Sequence, residues 1–276
     1  MATVSAGAIT TAERKEMLNA QFGLVADSYD ALWEFNFPSP NTAYLKLGTF
    51  VTWQMEMDWK AFLQNAFKEM QEKKTEHLIL DIRGNEGGSG DVMDFLQKHL
   101  TTKSVTLKST RDVVRYQKIS DKNRPYLGTW DDKIFDITWR VIEEKDGFYK
   151  SRFDKGEDKV MQPGDNPFAG QLYLLVDAAN SSATFHLAQV FKDNQLGTIV
   201  GEETGGNLRG TNGGMMFFLN LPNSKIEVDI PVYGYYPKSE QPDQGLAPDI
   251  EIKQTVADLA AGKDTVLKYV LNLTGN

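Results

Sequence analysis

The sequence predicts an α/β fold in which parallel strands lie buried beneath covering helices, with one irregular insertion. Short apolar runs at 77–82, 172–176 and 198–200 have the length and composition of buried strands. Segments at 58–73 and 182–193 space their apolar residues three and four apart, which is typical of amphipathic helices. Strands that alternate with helices along a chain favour a parallel sheet.

The first 40 residues are interpreted as a connector, the remnant of an upstream segment. Residues 11–19 have the pattern of a short helix, and residues 35–42, with Pro38 and Pro40, indicate an extended connector. Residues 41–276 form the predicted main domain. It opens with a strand at 44–50, because apolar and polar side chains alternate there.

The next predicted elements follow one another closely. Asp58 is a plausible N-cap for the helix at 58–73. The buried strand at 77–82 leads into a glycine-rich turn at 84–90 and then into a helix at 91–100. Residues 101–170 are predicted to elaborate the domain, with strand-like pieces at 104–108 and 133–142 between polar loops.

Regular elements return at residue 171. They are a strand at 172–176, a helix at 182–193, a strand at 198–200, a glycine-rich turn at 201–214, a strand pair at 215–221 and 225–232, and a helical end at 255–273 interrupted at Gly262.

Composition excludes several classes of function. The chain carries 30 Lys and Arg against 38 Asp and Glu, a net charge of −8 that argues against a nucleic-acid partner. The absence of cysteine excludes disulfides, zinc–thiolate sites, iron–sulfur clusters and a Cys nucleophile. No His and carboxylate cluster has metal-ligand spacing, and no apolar stretch reaches the ~20 residues of a membrane span. We therefore expect no metal, no cofactor and no membrane span.

Two turns after predicted strands stand out. The first, Asp-Ile-Arg-Gly-Asn-Glu-Gly-Gly at 81–88, can expose successive N–H groups to an anion, although glycine content alone favours a tight strand-to-helix turn. The second, at 177–186, places Ser181 and Ser182 where a helix begins. Serine is a favoured N-cap, but a hydroxyl at a helix N-terminus also lies where an oxyanion is stabilised.

Two further segments, Gly-Glu-Glu-Thr-Gly-Gly at 201–206 and Gly-Leu-Ala-Pro-Asp at 245–249, complete a set of four. In order and spacing, the set resembles peptidase family S41, which includes the tail-specific (C-terminal processing) proteases and the tricorn-core and retinoid-binding-protein relatives. Ser-Ala-Thr-Phe at 182–185 is similar to the family's nucleophile segment. The resemblance covers roughly residues 40–270.

The resemblance implies a crotonase/ClpP-like core and serine-type proteolysis on a peptide or protein substrate. Ser182 is then the nucleophile, with Ser181 as the fallback. The N–H groups of Gly87 and Ala183 would form the oxyanion hole, with Gly88 as the alternative to Gly87. Acyl transfer needs such a nucleophile and such donors, together with a base.

The general base is the point at which the sequence departs from the family. One branch uses a Lys where this chain has Asn207, and the next basic residue, Arg209, stays protonated and is no base. The other branch uses a His upstream of the first core strand. We expect this chain to lack the segment that carries it.

Three histidines are present. His77 opens a buried strand and is interpreted as structural. His99 lies on the helix after the glycine turn and is expected at the surface. His186 is four residues after Ser182 on the same helix face and is the candidate base, with a packing or surface role as the alternative. The acidic member of the site would lie near the closing loop, where Asp243 is the candidate and Glu240 the weaker one, unless both are simply solvated.

Three functions remain open. The first is a serine peptidase, and the second is a non-catalytic peptide-binding relative or incomplete catalytic core, which the missing base favours. The third, an acyl-CoA enzyme on a related scaffold, would need a basic phosphate site that the sequence does not offer. The resemblance further implies export to the periplasm or cell envelope, although no signal peptide is visible in the chain.

Overall fold

A computed structural model describes residues 28–153 and 155–275. The strands are β1 (Trp33–Ser39), β2 (Thr42–Leu47), β3 (His77–Asp81), β4 (Val105–Leu107), β5 (Arg111–Val114), β6 (Leu127–Thr129), β7 (Val141–Glu143), β8 (Tyr149–Ser151), β9 (Lys159–Met161), β10 (Gln171–Val176), β11 (Thr198–Gly201), β12 (Thr211–Asn220), β13 (Glu227–Tyr236) and β14 (Ile250–Glu251). The α-helices are α1 (Trp59–Glu72), α2 (Gly90–His99), α3 (Ser182–Asp193), α4 (Val256–Ala260) and α5 (Thr265–Leu273).

The main sheet has six strands in the order β1-β2-β3-β10-β11-β14. Five of these strands run parallel to one another: β2, β3, β10, β11 and β14. The edge strand β1 pairs antiparallel with β2. The parallel sheet and the α/β class are therefore confirmed. The finer expectation of a crotonase/ClpP-like core stays a prediction.

Both faces of the main sheet are buried, which explains why its strands are continuous apolar runs. Successive side chains of a strand point to opposite faces. Leu78 and Leu80 of β3 join the large core cluster on the face covered by α1, α2 and α3, whereas Ile79 packs with Val266 and Val270 of α5 on the other face. The pattern of a strand buried on both faces thus arises from helices packed against each side.

Helix α1 confirms the sequence prediction in detail. The Asp58 carboxylate accepts hydrogen bonds from the N–H groups of Lys60 and Ala61, both at 3.0 Å, and so caps the helix. Leu63, Phe67 and Met70 face the core. The predicted helices at 91–100 and 182–193 are also present, as α2 and α3.

The first correction concerns the connector predicted at 35–42. Most of it is strand β1, which begins at Trp33 and pairs with β2. Trp33 is buried and its Nε1–H donates to the carbonyl oxygen of Thr49 at 2.7 Å, which anchors the strand. Pro38 is tolerated because β1 is an edge strand. The helix predicted at 11–19 lies outside the described residues.

The second correction concerns the strand predicted at 133–142. Residues Asp132–Phe135 form a 3-10 helix, and a strand begins only at Val141. The carboxylate of Asp131 caps this turn by accepting from the N–H of Lys133 at 3.0 Å. Ile134 and Phe135 are buried in a second core. Their apolar character therefore reflects packing rather than a strand period.

Residues outside the main layer build a second, antiparallel sheet in the order β6-β12-β13-β5-β8-β7, and β4 pairs with β9. Strand β12 begins at Thr211, so the glycine-rich turn after β11 is shorter than the predicted 201–214. The predicted strand pair at 215–221 and 225–232 is present as the longer β12 and β13. Within the described ranges, no helix combines the length and apolar character needed to cross a bilayer.

Candidate active site

The turns that follow β3, β10 and β11 lie at one edge of the main sheet. These three strands are parallel neighbours, so their carboxyl ends meet there. Ligands of open α/β sheets bind at this edge. The topology therefore brings together three of the four sequence motifs, at 81–88, 177–186 and 201–206.

Two buried asparagines connect the first two turns. The side chain of Asn180 donates to the carbonyl oxygens of Ile82 at 2.5 Å and Asn85 at 3.1 Å, and its Oδ1 accepts from the N–H of Asp177 at 2.8 Å. Asn85 in turn donates from Nδ2 to the carbonyl oxygen of Leu47 at 2.7 Å. Both side chains are fully buried, so they hold the backbone of the turns in a fixed geometry.

The glycine turn makes direct contact with the serine turn. A Cβ built on Gly87 would lie 2.9 Å from Ser182 Cβ, closer than real Cβ atoms approach, and 3.0 Å from Ala183 N, a tight contact. Gly87 has φ +105°, a conformation that side-chain-bearing residues rarely adopt. The structure therefore brings the two predicted parts of the site together.

Ser182 is the first residue of α3 and is solvent-exposed. Its φ of +48° lies in the left-handed region, where a non-glycine residue carries backbone strain of about 1–3 kcal/mol. Its hydroxyl has no hydrogen-bond partner within the described part of the chain. The Ser181 hydroxyl, in contrast, donates to the carbonyl oxygen of Glu86 at 3.0 Å. The geometry therefore favours Ser182 over Ser181 as a reactive hydroxyl.

The two candidate glycine amides differ in availability. The N–H of Gly87 donates to Asn85 Oδ1 at 2.8 Å and so is occupied. The N–H groups of Gly88 and Ala183 find no acceptor among residues 28–153 and 155–275. The predicted pair of Gly87 and Ala183 stays a prediction, and in this structure its alternative, Gly88, has the amide that is available beside Ala183.

Ser182 lines a cavity of about 840 Å³. Gly88 and Ala183 line the same cavity, which agrees with their free N–H groups. The remaining lining residues come from the segment after β2, the glycine turn, α2, α3 and the second sheet: Trp53, Glu86, Gly90, Met93, Trp130, His186, Thr211, Asn212, Gly213, Gly214, Met216 and Tyr235. No group of three or more His, Asp or Glu side chains in the described part of the chain is arranged to hold a metal ion.

The family model of peptidase family S41 matches residues 41–252, which include all four motifs. The chain belongs to peptidase family S41. No curated protein sequence matches it significantly.

Solved S41 structures share the fold. A protein of Parabacteroides merdae ATCC 43184 assigned as a peptidase is 18% identical with a TM-score of 0.56, over 94% of this chain and 69% of that one. A protein of Bacteroides fragilis NCTC 9343 assigned as an S41 protease is 16% identical with a TM-score of 0.53, over 91% and 59%. Mature CPAF is 15% identical with a TM-score of 0.52, over 82% and 50%. The chain thus spans about half the length of the last two structures.

The third and fourth motifs of this S41 chain support the serine helix rather than line the cavity. A Cβ on Gly206 would lie 2.2 Å from Cγ of Phe185, so only glycine fits against that ring. Phe185 is almost fully buried. The N–H of Leu246 donates to Thr204 Oγ1 at 2.9 Å and joins the fourth motif to the third. Both motifs thereby fix the position of α3.

His186 lines the cavity with Ser182, as its position four residues later on α3 predicts. Its Nδ1 lies 3.0 Å from Gln189 Oε1 and its Nε2 lies 3.2 Å from Thr211 Oγ1. Burial lowers the pKa of His186, and this effect exceeds the opposing effects of the hydrogen bond to Gln189 Oε1 and of the charge of Asp112. The ring is therefore neutral at pH 7, with both nitrogens engaged away from Ser182.

The other two histidines do not line the cavity. His77 lies at the start of β3 beside Tyr173, with 6.3 Å between ring centroids. His99 is half-buried rather than on the surface, because its ring stacks on Phe95 at 3.8 Å. The position of His77 fits the structural role expected from the sequence, whereas the surface position expected for His99 is corrected.

Asp243 is not brought to Ser182. Its carboxylate accepts from Asn207 Nδ2 at 2.7 Å and from Arg209 Nη1 at 3.0 Å on an exposed loop. These hydrogen bonds, with that of Asn207 first, lower the pKa of Asp243. Glu240 is exposed as well, and neither carboxylate lines the cavity. Asp243 therefore ties its own loop to residues 207–209, which follow the third motif.

Sequence reasoning missed several residues around the serine. Trp53, Trp130, Thr211 and Tyr235 line the cavity, although they come from distant segments without a motif. Thr211 and Tyr235 are partners across β12 and β13. Tyr235 also packs edge-on to His186, with centroids 6.4 Å apart. Because these contacts depend on how the second sheet sits over α3, no local pattern could have revealed them.

Proposed function

We propose that the chain is a serine-type peptidase in which the Ser182 hydroxyl attacks a peptide carbonyl carbon. The carbonyl oxygen, as it gains negative charge, accepts hydrogen bonds from the N–H groups of Ala183 and Gly88. Collapse of this intermediate expels the amine and leaves an acyl-enzyme, which water then hydrolyses. Donors that are already fixed where the charge develops supply a large part of such catalysis.

The observation that carries this proposal is the contact between the two turns. Gly87 lies against Ser182 with no room for a side chain, which brings the Gly88 amide to the same cavity as the exposed hydroxyl. Because its φ is left-handed, Ser182 does not have the backbone geometry of the helix that it begins, and its side chain does not follow the helical spacing. Strain of this kind at a helix N-terminus is typical of positioned nucleophiles.

His186 is our candidate for the general base. It lines the cavity and is neutral at pH 7 because burial lowers its pKa, so it can accept a proton. To do so, its Nε2 must exchange the Thr211 hydroxyl for that of Ser182. Catalytic hydrogen bonds are often long or poorly aligned before substrate binds.

A second candidate function is a non-catalytic peptide-binding relative. The specific observation in its favour is that both ring nitrogens of His186 are engaged with Gln189 and Thr211. In that case the cavity would hold a peptide without cleaving it.

A fluorophosphonate probe separates the two functions. An activated serine displaces fluoride and keeps the phosphonyl group, and mass spectrometry locates it. We expect the chain to be labelled at Ser182, Ser182→Ala to lose the label and Ser181→Ala, the matched control, to keep it. A chain that remains unlabelled would overturn the peptidase proposal and leave the peptide-binding function.

Export to the periplasm or cell envelope stays a prediction of family membership.

A further inference from the structure

Two tryptophans flank the serine cavity with most of their surface exposed. Trp53 and Trp130 are each 65% exposed, and both line the cavity that holds Ser182. Large apolar groups left in water at a concave site mark a binding surface, because covering them with an apolar partner is favourable. The partner expected here is therefore apolar.

Both tryptophans are held by elements that also shape the site. Trp53 lies in the 3-10 helix Thr52–Gln54, just after Phe50, whose backbone would be 2.4 Å from a Cβ on Gly88. Trp130 follows β6, and its ring packs edge-on against Phe218 of β12 at 5.2 Å. Their backbones are thus fixed relative to the reacting hydroxyl, although their side chains face solvent.

Two methionines extend this apolar surface. Met93 of α2 and Met216 of β12 line the same cavity. An unbranched thioether adapts its shape to different apolar partners. The lining therefore accommodates large apolar side chains of more than one shape.

Charge on the cavity wall points to the same kind of ligand. Glu86 is the one lining residue among those described that carries a formal charge at pH 7, since His186 is neutral. A free carboxylate placed here would meet no cationic side chain and would share the cavity with the carboxylate of Glu86, while the Gly88 and Ala183 amides are taken by the scissile carbonyl in the proposed function. The lining therefore offers no cationic side chain that would recognise a peptide C-terminus.

We infer that Trp53 and Trp130 are specificity-determining residues that select a large apolar side chain next to the scissile bond, in the interior of a peptide rather than at its free carboxyl end. This inference rests on the proposed function for the identity of the bond. It names the substrate class of the site as internal segments rich in aromatic and large aliphatic residues.

The inference is tested by measuring how tightly peptides bind to the Ser182→Ala variant of the full chain, which does not require hydrolysis. The probes are labelled peptides identical except for one central residue, Phe or Ser, each made with a C-terminal carboxylate and with a C-terminal amide. We expect the Phe peptide to bind on the order of tenfold more tightly than the Ser peptide. The carboxylate and amide forms should bind within about twofold of each other, since no charge contact distinguishes them.

Tryptophan variants show which residues are responsible. Trp53→Ala and Trp130→Ala, each added to Ser182→Ala, should reduce the preference for Phe severalfold, whereas Trp53→Phe should retain most of it. Trp139 is the matched control, because it is 64% exposed and packs against Phe153 away from the cavity. Trp139→Ala should leave the preference unchanged.

The results distinguish this inference from the proposed function. Equal binding of the Phe and Ser peptides, no binding of either, a strong preference for the carboxylate form, or an unchanged preference in both tryptophan variants would overturn it. Fluorophosphonate labelling of Ser182 is measured separately. A labelled chain without peptide preference retains the peptidase proposal alone, and an unlabelled chain that prefers Phe retains the apolar selectivity alone.

Discussion

Gly87 lies so close to Ser182 that a Cβ on the glycine would come within 2.9 Å of the serine Cβ. The two residues are 95 positions apart in the sequence, yet their turns are joined by the Ser181 hydroxyl bonded to the Glu86 carbonyl and by the buried amide of Asn180. This contact is what places a free hydroxyl and two free amides around one cavity.

Gly87→Ala should therefore damage the site as well as the fold. The new methyl group must displace the serine turn, and the φ of +105° at residue 87 is strained for alanine. A displacement of about 1 Å at a reacting group costs on the order of 10²-fold in rate. We expect the fluorophosphonate labelling rate of Ser182 to fall by about that factor.

Gly84→Ala is the matched control. Gly84 also has a positive φ, +75°, but a Cβ there meets nothing within 4 Å. Left-handed alanine costs about 1–2 kcal/mol, so chemical denaturation should detect a loss of stability while the labelling rate is kept. Equal labelling rates in the two variants would show that the contact with Ser182 does not matter.

Asn180→Ala should reduce stability by about 1–3 kcal/mol, because it leaves the N–H of Asp177 without its acceptor and removes one of the two donors to the carbonyl oxygen of Ile82. The Ile82 oxygen keeps the N–H of Asn85 as its other donor. Urea denaturation measures the change in the free energy of unfolding. The control, Asn220→Ala, removes an exposed amide and should stay within about 0.5 kcal/mol. A comparably small change in Asn180→Ala would contradict the role assigned to this network.

His186 makes a pH-dependent contribution whose sign follows from its lowered pKa. The unfolded chain binds a proton at this residue below about pH 6.5, while the folded chain, with its lower pKa, does not. Protonation thus favours the unfolded state, so stability falls as the pH drops from about 7 through the unfolded pKa to the folded pKa. The slope contributed by one histidine is at most about 1.4 kcal/mol per pH unit.

The measurement compares the free energy of unfolding of the chain and of His186→Gln between pH 7.5 and pH 5.5. Subtracting the two curves removes the titration of carboxylates common to both. We expect the variant to lose less stability in this interval. Parallel curves would mean that the His186 pKa is the same in the folded and unfolded states.

Much of the main layer could be predicted from local sequence. The strands β3, β10 and β11, the helices α1 and α3 and the cap at Asp58 follow from apolar spacing and capping chemistry, which operate within a few residues. Ser182 was identified by a motif, and the meeting of the three turns follows from the parallel order of their strands. These features depend on short-range signals that tertiary packing reinforces.

Other features were decided only by the tertiary structure. The role of β1, the 3-10 turn at Asp132–Phe135 and the availability of Gly88 rather than Gly87 depend on partners far away in the chain. An apolar residue buries itself equally well in a strand or a turn, and a backbone N–H donates to whichever oxygen the folded chain presents. The sequence alone therefore determined the parallel layer and its serine, whereas long-range packing decided which amides, tryptophans and histidine surround that serine.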